Sequence, residues 1–474
     1  MTGRRPASSS SDLYSPERRT ALLLTGVGTS GAYHAGVLRA LQEAGVKIDV
    51  VAGRGIGAIG ALFAAVDGTQ RLWDEKGFWR SAAITSLYPW RGVLRLVGAA
   101  AGLAVLIVAA PLVVVAAGFV VFPIDFVLKM VGVSAASAPA TAYVAFVERA
   151  FAPAALPTWL PRLAVLAVGV ALLAAVGAAW SFRETRQARG AAWWRLARGP
   201  LSERAAGDHC WTMVWDLVRG AAALRAPTPT ELGRRYTELL ADNLGQPGFR
   251  ELLIVVHDID AGRDVVFALV TEGRRVELMR RATTEAAEER RAEIVDLTGL
   301  GRDHLTDAVM ASLAIPLATD PHIIAFNADS YWRGERHRLT DRPGSVHRLV
   351  EELAGLHVTQ IVMVSAASAS TGPHTLSPWR LDPRGRLGEY LQSAEAATVR
   401  DVARRRMETG PRVFTIQPTH NPVGPLDFSG GFDARSDRRQ PLVELMSRGY
   451  QDAYHQFIEP IVGASGERVG QGVS

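Results

Sequence analysis

Between Ala21 and Gly57 the chain alternates apolar runs with two glycine-rich turns, and no other feature limits the fold as much. Ala21-Leu22-Leu23-Leu24 reads as a short buried strand, after which Gly26, Gly28 and Gly31 open a helical pattern through Val37 and Leu38. A second apolar run, Val50-Val51-Ala52, leads into Gly53-Arg54-Gly55-Ile56-Gly57. Strand, glycine turn, helix, strand and glycine turn in that order make a parallel α/β unit. The second turn has the G-x-S-x-G spacing of a nucleophile elbow, where a serine sits on a tight strand-to-helix bend. Here the central residue is Gly55, which has no side chain with which to attack. Glycine adopts the unfavourable angles of an elbow freely, so Gly55 relaxes the bend and removes the nucleophile together.

The first turn admits several readings. Gly26, Gly28 and Gly31 have the G-x-G-x-x-G spacing of a dinucleotide site, which expects an acidic residue at the end of the second strand. Asp49 lies near that distance but precedes Val50-Val51-Ala52 instead of ending it, and a second glycine turn follows at once. A tight turn without a ligand is a further reading. The pattern fits best a nest of backbone N–H groups at a helix N-terminus, suited to an oxyanion or a phosphate. Arg54 stands beside the second turn and ahead of another helix start, where an anion would be favoured by side chain and helix dipole alike. The plainer reading of Arg54 is a surface arginine paired with a carboxylate.

Thr25 to Leu38 resembles the oxyanion-hole loop and following helix of the patatin-like phospholipases, and Gly53 to Ala58 resembles that family's elbow. Ala311-Ser312-Leu313-Ala314-Ile315-Pro316 is similar to the segment leading into the family's later strands. Thr340-Asp341-Arg342-Pro343-Gly344, ahead of the apolar run Ile361-Val362-Met363-Val364, occupies the place of its Asp-Gly-Gly motif. The resemblance implies a three-layer α/β/α domain in which serine attacks an acyl ester, aspartate is its base and the glycine loop holds the oxyanion. It makes Asp341 the vestigial base, Gly55 the empty nucleophile position, and Gly26, Gly28, Thr29, Ser30 and Gly31, with Arg54, the anion-binding set. Three departures bear on activity: Gly55 for the serine, Ser30 for a basic loop residue, and Asp341-Arg342-Pro343 for Asp-Gly-Gly. Pro343 has no N–H and a fixed φ, which argues against an intact base geometry. Asp341 as a plain turn residue stays open, as does a substitute attack by the hydroxyl of Thr29 or Ser30, at which no base is aimed.

Composition narrows the setting. Hydrophobic residues are 48% of the 474, high for a soluble enzyme and suggestive of membrane contact. The single cysteine, Cys210, excludes an intramolecular disulfide and fits a reducing compartment. A net charge of +5, from 52 Lys and Arg against 47 Asp and Glu, is too small to argue for nucleic acid. The histidines His304, His322, His337, His347 and His357 lack metal-ligand spacing backed by carboxylates, so neither metal nor cofactor is expected.

Leu96 to Phe122 and Leu163 to Trp180 carry no charge. As helices they reach about 40 Å and about 27 Å against a hydrocarbon core of roughly 30 Å. Arg80, Arg91 and Arg95 precede the first, and Arg183, Arg186, Arg189, Arg195 and Arg198 follow the second. The loop between holds Lys129, Arg149 and Arg162, offset by Asp125 and Glu148. The positive-inside rule then predicts a transmembrane hairpin with both ends cytoplasmic, and Trp90, Trp159, Trp180, Trp193 and Trp194 sit near its interfaces. A buried helix pair or a hairpin within one leaflet is the alternative. The resulting domain plan is a disordered tail at 1–20 and a first half-domain at 21–92. The membrane hairpin at 93–182, a basic segment along the bilayer at 183–235, and the second half-domain at 236–474 follow.

The expected protein is thus a multi-pass protein of the inner cell membrane with its main domain cytoplasmic. Its expected partners are the bilayer and an anionic membrane lipid, which it binds or senses without cleaving. The rivals are an active lipid hydrolase with another nucleophile or a directly activated water, and a scaffold whose partner is a protein.

Overall fold

The computed structural model describes residues 14–132, 138–152, 156–181, 199–220, 225–280, 287–369, 383–404, 410–433 and 436–463. The chain divides into one unit of residues 1–89 and 201–474 and a second of residues 90–200.

In the first unit, strand β1 (Thr20–Gly26) leads to helix α1 (Ser30–Glu43), strand β2 (Val50–Gly55) and helix α2 (Gly57–Ala65). The second unit contributes α3 (Gly92–Met130), α4 (Ala138–Ala150) and α5 (Leu156–Ser181). The chain then returns through α6 (Arg204–Val218) and α7 (Pro229–Asn243) to β3 (Glu251–Asp258), β4 (Arg263–Leu269) and β5 (Ile294–Asp296). Next come α8 (Leu305–Leu313), β6 (His322–Ala325), β7 (Arg336–Thr340), α9 (Val346–Gly355) and β8 (Gln360–Ser365). Helix α10 (Pro383–Arg404), β9 (Arg412–Ile416), the hairpin β10 (Gly431–Asp433) and β11 (Arg438–Gln440), and α11 (Leu442–Ala453) complete it.

Among the described residues nine strands form one mixed sheet, ordered β5-β4-β3-β2-β1-β8-β9, with β7 paired to β3 and β6 to β7. The central strands β3, β2, β1, β8 and β9 are parallel, and β4 runs antiparallel to β3. Successive strand residues point to opposite faces, and the core divides accordingly. Leu22, Leu24, Val51, Leu252 and Ile254 pack on one face with α1, α2, α6, α7, α8 and α11. Ala21, Leu23, Val50, Ala52, Leu253 and Val255 pack on the other with α9 and α10. The unit is therefore an α/β domain with helices on both sides of its sheet, and β2 lies between β1 and β3 although 195 residues separate the end of β2 from the start of β3.

Two expected boundaries change. Tyr14 is in the core, edge-on to Phe457, and its hydroxyl donates to the Lys47 carbonyl at 3.2 Å. The disordered tail therefore does not extend through residue 20. Residues 201–243 do not lie along a bilayer either. Ala206, Cys210, Trp211 and Val214 of α6 and Leu232, Tyr236 and Leu240 of α7 are buried in the first unit's core. Their apolar positions recur every three to four residues, so one helix face is committed to that core. Residues 182–198, with Trp193, Trp194 and the arginines expected to follow the hairpin, lie outside the described residues.

In the second unit, α3 continues through Pro111 and Pro123, and α5 packs along it. The Tyr143 hydroxyl of α4 donates to the Val114 carbonyl at 2.7 Å. Within the described residues one stretch, Pro111–Met130, is long and apolar enough to cross a membrane, while Gly92–Ile107 and Arg162–Ala174 are shorter apolar helices. Large apolar side chains along it face outward, with Phe119 80% exposed.

Candidate functional site

The site lies where β1, β2 and β7 end. Registry pairs Gly26 with Gly55 at the last step of the β1–β2 ladder. Gly55 has φ +57°, a left-handed angle that side chains disfavour and an elbow requires. Asp341 follows β7 directly and is anchored by its own N–H to the Ala314 carbonyl at 2.9 Å, beside the Thr340 hydroxyl on the same carbonyl at 2.8 Å. The segment Ala314-Ile315-Pro316 thus fixes the aspartate. A Cβ on Gly55 would stand 3.2 Å from Asp341 Oδ2, so the carboxylate faces the empty nucleophile position across 286 residues of sequence. Pro343 opens a short 3-10 turn after Asp341 and leaves this approach intact, contrary to the expectation that Arg342 and Pro343 misplace the base.

Asp341 is not free. Alternation along β1 and β2 sends Thr25 and Arg54 to the face of α10, and the Arg54 guanidinium is wholly buried there. Its Nη1 donates to Asp341 Oδ1 and Oδ2 at 2.9 and 2.8 Å, its Nη2 to Glu395 of α10, and its Nε to the Thr25 hydroxyl at 3.0 Å. The Thr25 hydroxyl donates in turn to Glu395 Oε1 at 2.6 Å. Two carboxylates therefore share one guanidinium away from water. Burial outweighs the arginine's attraction, and the Glu395 charge adds to it, so the Asp341 carboxyl is raised to about 6. The Arg54 expectation is corrected: it is neither a surface arginine nor open to an anion, because the pleat directs it into the protein and two carboxylates already hold it.

The first-loop donors are engaged as well. The Ile56 N–H, which follows the nucleophile position, donates to the Gly26 carbonyl at 3.0 Å. The Thr29 N–H donates to the Pro425 carbonyl at 2.8 Å, and the Thr29 hydroxyl to the Gly424 carbonyl at 2.9 Å. The N–H groups of Ser30 and Gly31 turn to Val27 and Gly28 at 3.2 and 3.3 Å. Gly28, at φ +56°, brings the loop so close to Pro425 that a Cβ would collide with that carbonyl. The structure thus gathers Gly26, Gly28, Thr29, Ser30, Gly31, Gly55 and Asp341 at one sheet end, but the loop 424–425 supplies the acceptor where an anion was expected. His34, on α1, directs Nε2 to the Thr25 carbonyl at 3.1 Å, and burial lowers it to about 4, so it is a neutral core histidine. Among the described residues no group of three or more His, Cys, Asp or Glu is placed to hold a metal ion.

Glu395 escaped sequence reasoning, yet a signal was present. Leu391, Glu395, Val399 and Val402 form one buried stripe of α10. A carboxylate in such a stripe needs a buried cation.

A sequence model of the family described as patatin-like phospholipase matches residues 22–106, which include both glycine turns. Patatin-like phospholipase domain-containing protein 6 of Homo sapiens is 43% identical over 70 residues, which are 15% of this chain and 5% of that protein. Lysophospholipase nte1 of Emericella nidulans is 50% identical over 48 residues, 10% of this chain and 3% of that protein. The chain thus spans a small fraction of the curated relatives it matches. The crystal structure of VipD from Legionella pneumophila aligns over 96% of this chain and 69% of its own at 14% identity, with a TM-score of 0.33 that establishes no shared fold.

Proposed function

The chain belongs to the patatin-like phospholipase family, and from that premise we propose that it is a catalytically silent lipid-acyl-hydrolase scaffold, anchored in a membrane, that binds or senses a membrane lipid. One observation carries the reading. At the elbow Gly55 offers no nucleophile, and the aspartate facing it is bound by Arg54. The covalent route needs a nucleophile with a base free to take its proton, and both are wanting here. Loss of one oxyanion donor alone costs about 10²–10³ in rate, and here the N–H groups of Ile56 and Thr29 are both engaged by carbonyls.

Membrane anchoring rests on the apolar helix Pro111–Met130 and on the way the chain leaves and rejoins the first unit. The Ser202 N–H donates to the Pro89 carbonyl at 3.1 Å, so exit and return adjoin. Because β2 is inserted between β1 and β3, both ends of the insertion belong to one folded domain. An anchored domain of this kind calls for an even number of crossings, and the proposal is a hairpin in which α5, with the shorter apolar stretch Arg162–Ala174, returns the chain beside Pro111–Met130. Arg80, Arg91 and Arg95 next to that exit favour an anionic, cytoplasmic bilayer surface.

The test is turnover. Purified full-length protein in detergent is expected neither to label with a fluorophosphonate nor to release fatty acid from phospholipid vesicles. Steady ester hydrolysis abolished by Asp341→Ala would overturn the reading in favour of an active enzyme with another nucleophile.

A further inference from the structure

Leu317 combines two features that its own segment does not call for. It is 83% exposed, more than any other large apolar side chain among the described residues. It also holds φ +65°, the left-handed region that glycine enters freely and leucine enters under strain. Single exposed apolar residues are ordinary on a protein surface, but an ordinary one has no reason to occupy a strained turn. Among the described residues the other non-glycine positions with positive φ are Asp67, Arg333, His357 and Asp437, all polar.

The turn accounts for the angle. The Ile315 carbonyl accepts from the N–H groups of Ala318 and Thr319 at 3.2 and 3.0 Å, which closes Ile315-Pro316-Leu317-Ala318 tightly. Proline at the second position of such a turn and positive φ at the third favour glycine or asparagine at the third. Leucine stands there instead, and the turn is held from both sides. Before it, the Ala314 carbonyl accepts from the Asp341 N–H and the Thr340 hydroxyl. After it, the Ala318 carbonyl accepts from the Leu201 N–H at 2.8 Å, and the Thr319 hydroxyl donates to the Ile315 carbonyl at 3.3 Å. Ala318 and Thr319 are buried. Leu317 is thus held outward on a fixed base, whose backbone has little freedom left to lose on contact with a partner.

Position names the partner. The chain re-enters the first unit at Leu201, and the next N–H, of Ser202, donates to the carbonyl of Pro89, where the chain leaves that unit. Leu317 therefore adjoins the residue that meets the root of the apolar insertion. Trp90, the first residue past that root, is 41% exposed, and Arg91 and Arg95 follow. Tryptophan and arginine beside an apolar helix mark the level of the lipid headgroups. A protein partner is recognised by a contiguous patch, whereas Leu317 projects between a half-buried Pro316 and a buried Ala318. A lone apolar prong suits a fluid apolar phase. We propose that Leu317 enters the headgroup–acyl boundary of the bilayer where the insertion leaves the first unit, and so fixes how that domain lies against the lipid surface. This goes beyond the proposed function and takes from it only the presence of a bilayer at the insertion.

The test is depth-dependent quenching of the full-length protein in phosphatidylcholine–phosphatidylglycerol nanodiscs. Cys210 is buried, so a thiol introduced at the surface takes a bimane label alone. Three proteins are labelled: Leu317→Cys, Phe119→Cys on α3, and Lys47→Cys, exposed ahead of β2 at the sheet end opposite Gly55. The label at 317 is expected to lose about half its emission to a lipid carrying a nitroxide at the headgroup or high on its acyl chain. The label at 119 should be quenched by a nitroxide deep in the chain, and the label at 47 by neither. An unquenched label at 317 beside a quenched one at 119 would overturn the prong and leave the anchor standing. Quenching at 317 without quenching at 119 would keep the prong and refute the anchor. Quenching at neither would refute both, and equal quenching at 317 and 47 would overturn the prong. Leu317→Gly, which the turn accepts without strain, should melt no lower than the natural chain. A markedly lower melting temperature would assign the leucine to the fold itself and overturn the proposal.

Discussion

Arg54→Met should destabilise the protein by about 3–5 kcal/mol at pH 7.5, the cost of removing one partner from a buried ion pair. The upper end is expected because two carboxylates lose the same cation. Asp341 and Glu395 are 0% and 6% exposed at the side chain, so neither can turn to water. The loss should depend on pH with a definite sign. Asp341, already raised to about 6 in the natural chain, keeps a folded pKa above its unfolded one without Arg54, so the folded variant holds more protons and its stability falls as pH rises. Below about pH 5, where Asp341 is protonated, the deficit should shrink toward the packing and neutral hydrogen bonds lost, about 1–2 kcal/mol. Urea unfolding of the full chain in detergent, followed by the fluorescence of buried Trp79 and Trp211, reads both quantities. Adding Asp341→Asn and Glu395→Gln to Arg54→Met should restore most of the loss at pH 7.5, because neutral groups need no counterion. A cost under about 1 kcal/mol, or one equal at pH 5 and pH 7.5, would refute the argument that the guanidinium compensates two buried charges.

Gly55→Ser should lower stability by about 3 kcal/mol, since it imposes a left-handed angle on a side chain whose Cβ collides with the Gly26 carbonyl. It should release no fatty acid; a stable Gly55→Ser protein with steady turnover would show that Arg54 does not block the base. Asp341 is raised from 3.8 to about 6, so its ionisation costs folding stability as pH climbs from about 4 to about 6. Asp341→Asn should remove roughly 3 kcal/mol of that slope, which urea midpoints at pH 4 and pH 7 for the two proteins would measure. Reporter fusions at residue 140 and at the C-terminus should lie on opposite sides of the membrane, and same-side readings would leave a hairpin confined to one leaflet.

The strand and turn order at 21–57 could be read from sequence because each signal is local: an apolar run, then glycines where the backbone must bend. The nearness of Asp341 to Gly55 could be expected only through motif order, since no local pattern spans so many residues. The fate of Arg54 was open to a simpler inference that local reading passed over. Counting by twos from Val50 and Ala52 places Arg54 on the α10 face, and counting from Ala21 and Leu23 places Thr25 there too. What no count reveals is that residues 424–425 fold onto the first loop. That contact is between backbones, Thr29 N–H to Pro425 carbonyl, and backbone donors carry no mark in the residue names. The same holds for Tyr14, a lone aromatic next to a polar tail whose burial depends on Phe457 at the far end of the chain.

The ion cluster also explains how an interrupted domain closes. Thr25 and Arg54 come from the segment before the insertion, whereas Asp341 and Glu395 come from the segment after it. An elbow with glycine in place of serine, and nothing else changed, would leave Asp341 buried beside an empty position without a counterion. That arrangement is costly and pairs no element with another. With Arg54 in place, the same aspartate joins the end of β2 to the turn after β7, and Glu395 extends the joint to α10 and, through Thr25, to β1. Each half is then left with an unpaired buried charge unless the other half is docked: a guanidinium on one side, two carboxylates on the other. Apolar burial drives the halves together without choosing among nearby registers, since a shift of a residue or two exchanges one apolar contact for another. The ion cluster adds a preference, because the observed register between the halves, with Arg54 beside Val255 and Thr25 beside Ser365, brings Arg54 to both carboxylates. Asp341, which faces Gly55, thus joins with Arg54, Thr25 and Glu395 in the fastening of a domain that the insertion divides.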